Sequence, residues 1–496
     1  MMGGVDRRTF LAWLGSTAVG TGAVGWLSSG SAAAAERATV DAGLTVLTGA
    51  TLIDGTGAPP VPSATVVLAG ERILAVGRNR DVPAIAGVRV VDLAGKYVVP
   101  GLWDVHTHSS EIATTFPPMH LVYGVTGIRE MRGSAETHDV WARIQRGELD
   151  GPSMVIASKV LDGPDSRNPF SVPIVTEEDA RQAMAEAKAD GADLVKVYSF
   201  MDRQTHAVIA READRVGLRI AGHSPSPIPV QDAIDVGQLS IEHNYGMHLS
   251  TSADRDEYFA QLEQMPDDAD DPNWWGWQAS TLEREAFRTY RPEFAAELAG
   301  RLTERGAWHV PTLAVESSIS RHPSKHLENP ELVELMERFM PRSLREEWVT
   351  WIGAWPPWTP EREAMELAYF DAKLQLVGDI AAAGGNTGTG TDTGVAFVFP
   401  GLATHDELEL LVRAGMSPMR ALQAATRDAA RCAEQEHVAG TVTAGKRADL
   451  LVLDADPLAD IRNSRQIHAV VARGRYLGPA QRQEIFDELE QAAQES

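Results

Sequence analysis

Two histidines lie one residue apart directly after an apolar run in the segment YVVPGLWDVHTHSS, residues 97–110. Residues i and i+2 of a β-strand point to the same side, so His106 and His108 can share one face at the carboxyl end of a strand. Neutral imidazoles that converge in this way suit a divalent metal ion. With 14 histidines in 496 residues, about 0.4 such pairs arise by chance, so the pair alone is weak evidence.

Three later positions place ligand-type side chains at the ends of predicted strands. His223 ends the run LRIAGH, His243 ends LSIEH and Asp392 ends TGTGTD. A lone histidine at a strand end more often serves packing or hydrogen bonding than metal binding. Because several strand ends supply ligand types in succession, we expect these side chains to meet the first pair at one site.

Lys196 lies inside the apolar strand candidate DLVKVYS. A charged amine in such a place loses several kcal/mol of hydration unless something balances it. Three explanations are open: a salt-bridged structural lysine, a Schiff-base lysine, or a lysine that CO2 has carboxylated to form an anionic ligand between two metal ions.

The segments that must position these residues alternate between strand and helix from residue 100 to residue 432. Seven strand candidates are GLWDVH, TGIREM, SMVIAS, DLVKVYS, LRIAGH, LSIEH and WHVPTLAV, and the Gly-rich GGNTGTGTD is a weaker eighth. Among the helical segments, TEEDARQAMAEAKADG begins with a Thr cap and ends with Gly. This alternation predicts an α/β fold, a (β/α)8 TIM barrel with its active site at the carboxyl ends of the strands.

Strand-rich segments flank the barrel. Residues 36–99 and residues 433–480 both alternate short β-rich runs with turn signals. One small composite β-sandwich, built from both segments, explains them more economically than two separate units. Residues 481–496 are predicted to be an acidic C-terminal tail.

Two connections in the barrel region are too long for plain loops, residues 246–290 and residues 315–370. They hold seven of the 12 tryptophans: Trp274, Trp275, Trp277, Trp348, Trp351, Trp355 and Trp358. Two roles are open for these insertions: a lid that shapes an apolar substrate pocket, or ordinary packing of added helical subdomains.

The first 35 residues have the pattern of a cleaved leader. The order Arg7, Arg8, Thr9, Phe10, Leu11 resembles the RRxFL motif of twin-arginine signal peptides, and the segment ends in small residues. We therefore expect export by the twin-arginine machinery to a periplasmic or extracellular location. Because Cys432 is the only cysteine, no internal disulfide and no lipid anchor near the leader is expected.

The charge balance limits the class of partner. The formal net charge is −24, with 69 acidic and 45 basic residues, which argues against nucleic acid and anionic membranes. We expect a small-molecule substrate and no membrane anchor. Self-association into a homo-oligomer is left open.

Taken together, the motifs PGLWDVHTH, DLVKVYS, AGHS, SIEHN and GTDTG resemble those of the amidohydrolase superfamily, with TLIDGTG before them and AGKRADLLVLDADP after them. The resemblance covers nearly the whole chain after the leader. Relatives that lack the bridging lysine place a Glu three residues after the strand-five histidine, whereas this chain has Ser226 there. The chain is therefore most similar to the binuclear prolidase-like and imidazolonepropionase-like branch.

The resemblance implies a site with two divalent metal ions, for which zinc is the expected element. His106, His108 and Asp392 would hold the more buried ion, and His223 and His243 the other. Lys196, carboxylated by CO2, would bridge them. Hydrolysis would proceed by attack of a metal-bridging hydroxide on a carbonyl, with Asp392 as general acid and base.

Three further residues are candidates for substrate binding. Tyr198 and Tyr245 lie two residues beyond Lys196 and His243, where their hydroxyls could bind a carbonyl or carboxylate oxygen, although packing explains them equally well. Arg129 in TGIREMRG could contact a substrate carboxylate, although a structural ion pair is the simpler interpretation.

The resemblance and the motifs favour hydrolysis of the C–N bond of a small substrate such as a dipeptide or an N-acyl amino acid. Lactone, ester and phosphotriester hydrolysis on the same ligands is an alternative, because specificity lies in the loops above the barrel. A catalytically silent metal-binding scaffold is another, and a Schiff-base lyase built on Lys196 is a third. A serine hydrolase is disfavoured because the chain has no GxSxG motif.

Overall fold

The structure is a computed structural model that describes residues 43–78, 88–164, 166, 168–264, 274–395 and 397–495. The predicted leader, residues 1–35, lies outside these ranges, and export therefore stays a prediction. Within them, no helix combines the length and the apolar character that crossing a membrane requires.

The N-terminal part of the described chain forms five strands. They are β1 (Leu44–Leu52), β2 (Val61–Ala69), β3 (Arg72–Arg78), β4 (Val88–Asp92) and β5 (Tyr97–Pro100). β-Branched and leucine side chains dominate β1 and β2, as expected for a half-buried pleated surface. A two-residue turn joins β2 to β3, and Gly70 adopts a φ of 52° there, a conformation that favours glycine.

Seven parallel strands form the ring of the barrel in the described residues. They are β6 (Leu102–Thr107), β7 (Val125–Glu130), β8 (Ser153–Asp162), β10 (Leu194–Val197), β11 (Arg219–Gly222), β12 (Gln238–Glu242) and β13 (Trp308–Val310), while β9 (Ser171–Pro173) pairs with β8 outside the ring. Neighbours follow chain order from β6 to β13.

The Gly-rich segment 386–393 closes the ring between β13 and β6. His309 N donates to Asn386 O over 2.9 Å on one side, and Val105 N donates to Thr389 O over 2.9 Å on the other. This segment corresponds to the weak eighth strand of the sequence, and it pairs through isolated bridges rather than a continuous ladder. The predicted α/β class, a barrel with a separate β domain, is confirmed.

Helices follow the barrel strands. Before the first insertion these are α1 (Phe116–Val122), α2 (Ala135–Arg146), α3 (Glu177–Asp190), α4 (Arg203–Arg215) and α5 (Val230–Asp235). Thr176 and Asp179 form a capping box at the start of α3, and Gly191 closes that helix at a φ of 84°. The cap and the stop predicted for this segment are confirmed.

The two long connections are helical. The first contains α6 (Met247–Thr251), α7 (Arg255–Glu263) and α8 (Trp274–Ala286), and α9 (Pro292–Arg305) leads into β13. The second contains α10 (Leu313–Ile319), α11 (Pro330–Phe339), α12 (Arg342–Gly353) and α13 (Pro360–Ala382).

The seventh strand is shorter than the sequence predicts. The run WHVPTLAV forms a strand only over Trp308–Val310, and α10 begins at Leu313. Pro311 cannot donate to a ladder, and Thr312 turns the chain with a φ of 47°. The apolar pattern alone does not distinguish a strand from the buried first turn of a helix.

The last part of the chain returns to the small domain. After α14 (Leu402–Arg413), α15 (Pro418–Gln423) and α16 (Ala429–Cys432) come β14 (Leu450–Leu453), β15 (Ile467–Ala472) and β16 (Arg475–Leu477). The strands from both ends join one sheet in the order β16, β15, β14, β5, β1, β2, β3, and β4 pairs with β1.

The C-terminal segment differs from the acidic tail that its composition suggests. It forms helix α17 (Pro479–Glu495), which buries Ile485, Leu489 and Ala493. These residues recur every four positions, so one apolar stripe faces the protein while the acidic residues lie around it.

Candidate metal centre and substrate cavity

Three predicted ligands converge at the carboxyl end of the barrel. Ligand atoms of His106, His108 and Asp392 all lie within 4.8 Å of one another. Asp392 Oδ1 lies 3.4 Å from His106 Nε2 and 3.3 Å from His108 Nε2. Two imidazole nitrogens and a carboxylate oxygen are a donor set that suits a divalent cation.

Backbone hydrogen bonds bring the two ligand-bearing segments together. Asp392 N donates to His106 O over 2.8 Å, and His108 N donates to Thr393 O over 2.6 Å. Asp104 reinforces this pairing, because its carboxylate accepts hydrogen bonds from the backbone N–H of His106 and of Thr391. Ligands that are far apart in the chain are therefore adjacent across the closure of the barrel.

Glu242 orients the ring of His106. Its Oε2 lies 2.7 Å from His106 Nδ1, and its Oε1 accepts a 2.6 Å hydrogen bond from Arg129. Burial opposes ionisation of Glu242, but the Arg129 guanidinium lowers the pKa of the carboxyl to about 2. The carboxylate therefore accepts the Nδ1 proton, and His106 Nε2 is left to bind a cation.

His223 and His243 form a second pair of candidate ligands. Their ring centroids are 4.7 Å apart, and the centroid of His243 lies 4.6 Å from that of His106. His223 Nδ1 lies 2.7 Å from Ser199 Oγ, and His243 Nδ1 lies 2.7 Å from Thr312 Oγ1. Each hydroxyl occupies Nδ1, which leaves Nε2 of each ring as the nitrogen that can bind an ion.

Lys196 is buried beside His106. Its side chain is 1% exposed, and its Nζ lies 3.5 Å from His106 Nε2. Burial lowers the pKa of the amine to about 8. The structure thus brings together all six residues for which the sequence predicts metal binding.

Burial keeps His106, His223 and His243 neutral near pH 7. It lowers the pKa of His106 to about 4 and that of His243 to about 3, and it lowers the pKa of His223 well below its ordinary value. Neutral imidazole is the form that binds metals. The donor set, its protonation and its oriented rings therefore fit divalent metal ions.

Backbone strain is concentrated at this site. Among the described residues, His243, Thr312 and Asp392 are three of the few non-glycine residues with positive φ, at 64°, 47° and 62°. Such conformations cost on the order of 1 kcal/mol or more and persist where the surroundings impose them. His243 and Asp392 are candidate ligands, and Thr312 is hydrogen-bonded to His243.

A cavity of about 440 Å³ opens beside His223. Its lining includes both predicted tyrosines, Tyr198 and Tyr245. Burial raises the pKa of Tyr198 to about 12 and that of Tyr245 well above its ordinary value, so both hydroxyls stay protonated. They can donate hydrogen bonds to an oxygen of a bound molecule.

Arg129 is not among the residues that line this cavity. It is fully buried and donates to Glu242, to Val105 O over 2.7 Å and to Ser240 Oγ over 3.1 Å. Its place is that of a structural ion pair beneath the ligands, which was the simpler interpretation of the sequence. The structure does not bring it to a substrate position.

The described tryptophans of the insertions pack against protein. Trp348 is buried, with its ring centroid 5.1 Å from that of Phe397, and Trp351 packs on Trp355 at 5.5 Å. Trp358 lies beside His322. The side chains of Trp274, Trp275 and Trp277 lie outside the described part of the chain.

Glu242, Thr312 and Ser199 belong to the site although sequence reasoning missed them. Glu242 could have been identified from the sequence, because a carboxylate within the apolar run LSIEH needs a charged or hydrogen-bonding partner, as Lys196 does in its own strand. Thr312 and Ser199 had none, since hydroxyl residues are common in loops and only the fold places them against the rings.

The chain matches a family model at one end. Residues 368–477 match the Amidohydrolase family. Imidazolonepropionase of Anaeromyxobacter dehalogenans is 49% identical over 51 residues, which are 10% of this chain. That match spans only 12% of the length of the curated relative.

Solved structures are similar over most of the chain. A Bifidobacterium longum protein described as a candidate prolidase has 25% identity and a TM-score of 0.61, over 90% of this chain and 98% of its own. Bottromycin amidohydrolase has 23% identity and a TM-score of 0.70 over 93% of each chain. Because its identity is below 25%, the similarity to bottromycin amidohydrolase shows a shared fold and nothing about activity.

Proposed function

We propose that this chain is a metal-dependent hydrolase of the amidohydrolase superfamily that cleaves the amide C–N bond of a small substrate, such as a dipeptide or an N-acyl amino acid. One observation carries this proposal: four histidines, Lys196 and Asp392 converge beside a cavity of about 440 Å³. The similarity to a candidate prolidase supports the choice of a dipeptide-sized substrate.

Two divalent cations are proposed, with zinc as the expected element. His106, His108 and Asp392 would hold one, and His223 and His243 the other, with Lys196 between them. When bound, such ions lower the pKa of a coordinated water and polarise a carbonyl. The near-contact of Lys196 Nζ with His106 Nε2 supports a carboxylated Lys196 as the bridging group, because carboxylation replaces a cation among these donors with an anion.

Asp392 is proposed to transfer the proton. Burial raises the pKa of this carboxyl, but its hydrogen bond with His108 and the nearby His243 and His106 rings outweigh burial and lower it well below the ordinary value. The carboxylate can therefore accept the proton of the attacking water and deliver it to the leaving amine. Tyr198 and Tyr245 would hold the carbonyl or carboxylate oxygen of the substrate through their hydroxyls.

The experiment combines metal analysis with a substrate panel. Protein loaded with Zn²⁺ is expected to hold close to two ions per chain and to hydrolyse a dipeptide or an N-acyl amino acid, whereas chelator-treated protein is inactive. Hydrolysis only of a lactone or a phosphotriester would favour the alternative substrates. No metal uptake would favour a silent scaffold, and borohydride trapping of a carbonyl substrate on Lys196 would favour a lyase.

Two variants test the assignment of ligands. His106→Ala and Asp392→Asn are each expected to abolish turnover while circular dichroism and melting temperature show a folded protein. Glu285→Gln, an exposed change on helix α8, is the control. Near-normal turnover in either ligand variant would overturn the proposed site.

The twin-arginine leader adds a proposal about location. Within residues 1–35, Arg7 and Arg8 come directly before the apolar segment. We propose that the enzyme acts after export. Replacing both arginines with lysine is expected to retain the protein in the cytoplasm, as measured by fractionation. Unchanged export of this variant would contradict the twin-arginine route.

A further inference from the structure

The lining of the cavity includes charged residues that the proposed mechanism does not use. Helix α8 contributes Glu283 and Arg284, and helix α13 contributes Tyr369 and Lys373. Both helices belong to or follow the insertions, which vary most among enzymes of one barrel fold. We therefore expect the charged residues of these helices to influence which substrates the cavity binds.

Both cations of this lining are paired with carboxylates. Arg284 Nε lies 3.0 Å and 3.1 Å from the two carboxylate oxygens of Glu366, and its Nη1 donates to Ser280 O over 2.8 Å. Lys373 Nζ donates to Glu316 and lies 4.3 Å from the centroid of the Tyr369 ring. Neither Glu366 nor Glu316 is among the residues that line the cavity. The charges of Arg284 and Lys373 are therefore balanced by carboxylates that do not line the cavity.

Glu283 is in the opposite situation. It is 5% exposed, and in the described part of the chain its hydrogen-bond partners are neutral: the backbone N–H of Gly246 and the hydroxyl of Tyr369, at 3.3 Å. Burial raises the pKa of this carboxyl to about 7, and the nearby Lys373 offsets the effect only in part. The carboxyl has lost hydration without gaining an ion pair to a cation of the described residues, so a bound cation would be strongly favoured there.

We propose that Glu283 is a specificity-determining residue that binds a cationic group of the substrate, an ammonium or a guanidinium. This inference rests on the proposed hydrolase function and narrows its substrate class. Gly246, which donates to Glu283, is three residues beyond His243, and the intervening Tyr245 ring has its centroid 5.2 Å from that of His223. A substrate can therefore reach both the metal ligands and Glu283 within one cavity.

Two positions of a peptide carry such a cation, the α-ammonium and a lysine or arginine side chain. Binding of three probes, measured by calorimetry, separates them: Nα-acetyl-lysine amide, norleucine amide and Nα-acetyl-norleucine amide. The first has only the side-chain ammonium, the second only the α-ammonium, and the third has neither. At least one cationic probe is expected to bind about tenfold or more tightly than the neutral one, as a charge-assisted hydrogen bond implies.

Variants assign this preference to Glu283. Glu283→Gln is expected to abolish the difference between the cationic and neutral probes, and Glu283→Asp to retain part of it. Glu285→Gln lies on the same helix but is exposed, and it should behave like the parent protein. Equal binding of all probes by the parent, or an unchanged preference in Glu283→Gln, would overturn the proposal.

Kinetics separate this proposal from the proposed function. If Glu283 binds the side-chain cation, glycyl-lysine should have a kcat/KM at least about tenfold above that of glycyl-norleucine, with the difference lost in Glu283→Gln. If Glu283 binds the α-ammonium, Glu283→Gln should lower the kcat/KM of both dipeptides by about tenfold or more. If the two dipeptides are hydrolysed at the same rate, and Glu283→Gln changes neither rate, the cation subsite is overturned and the proposed hydrolase function stands. A Glu283-dependent preference in probe binding, with no dipeptide hydrolysed, would keep the subsite and overturn dipeptide hydrolysis.

Discussion

His106 Nδ1 lies 2.7 Å from Glu242 Oε2, and both side chains are completely buried. The other oxygen of this carboxylate is paired with Arg129, so the orientation of a candidate metal ligand depends on an ion pair beneath it. The contacts from Arg129 to Glu242 and from Glu242 to His106 therefore link the core of the barrel to the candidate metal centre. Partners of this kind fix both the tautomer and the direction of a ligating imidazole.

Glu242→Gln is expected to weaken metal binding by about 10- to 100-fold, because His106 loses its charged acceptor. It should also lower the free energy of unfolding by about 3 kcal/mol, because Arg129 is left buried without an anion. Competition with a metal chelator measures the first effect, and denaturant unfolding measures the second. Metal affinity equal to that of the parent would show that Glu242 does not orient His106.

Thr312→Val is expected to reduce metal affinity by about tenfold, because the variant cannot bond to His243 Nδ1. Valine is β-branched like threonine, so the cost of the positive φ at this position is closely matched. Thr312→Ser keeps the hydroxyl and should bind metal nearly as well as the parent. Equal losses in both variants would indicate a packing role for the methyl group instead.

Gly390→Ala tests the close packing of the closing segment against β6. A Cβ at this position would lie 2.7 Å from His106 Cβ and 2.6 Å from Val310 Cγ1. We expect activity to fall, and stability to decrease by about 1 to 3 kcal/mol. Gly300→Ala in helix α9 is the control, since its Cβ would meet no atom within 4 Å, and it should be neutral or slightly stabilising. Parent-like kinetics in Gly390→Ala would contradict the prediction.

Glu283 should make stability depend on pH. Burial raises the pKa of this carboxyl from 4.5 to about 7, and Glu316 adds to the increase, while Lys373 and the hydrogen bonds from Gly246 and Tyr369 oppose it. The folded state thus holds a proton that the unfolded state releases. The stability from this group is fully present below pH 4.5 and is lost as the pH rises through 7.

Glu283→Gln removes this titration. Its stability relative to the parent should rise by up to about 3 kcal/mol between pH 5 and pH 8. Melting temperatures measured across this range, with Glu285→Gln as a matched control, provide the test. A constant difference between the variant and the parent would show that Glu283 titrates normally.

Trp348→Ala is expected to lower the free energy of unfolding by about 3 to 5 kcal/mol, because the ring is buried against Phe397 and Phe399. Since Trp348 is not among the residues that line the cavity, KM should change little. Thermal unfolding and steady-state kinetics measure the two quantities. A large increase in KM without loss of stability would instead support a lid function for this insertion.

The order of the elements and the types of candidate ligand could be predicted from local sequence patterns. Alternating apolar strands and capped helices predict the barrel, because periodicity and capping are local properties of the chain. The six metal-ligand candidates were identifiable because each is a chemically suitable residue at the end of a strand or within one. The composite β domain also followed from strand patterns at both ends of the chain.

The residues that support the candidate ligands, and those that line the cavity, could be identified only once the fold was known. Glu242 is 136 positions from His106 and Thr312 is 69 from His243, and no local pattern encodes such contacts. Arg129 could equally have bound a substrate, and its place beneath the site follows from the register of β7 beside β6. Glu283 was one acid among 69 in the sequence, and only the packing of helix α8 shows that it lines the cavity with no ion pair to a cation among the described residues. Local sequence determines which residues can do chemistry, whereas desolvation and long-range packing determine which of them do.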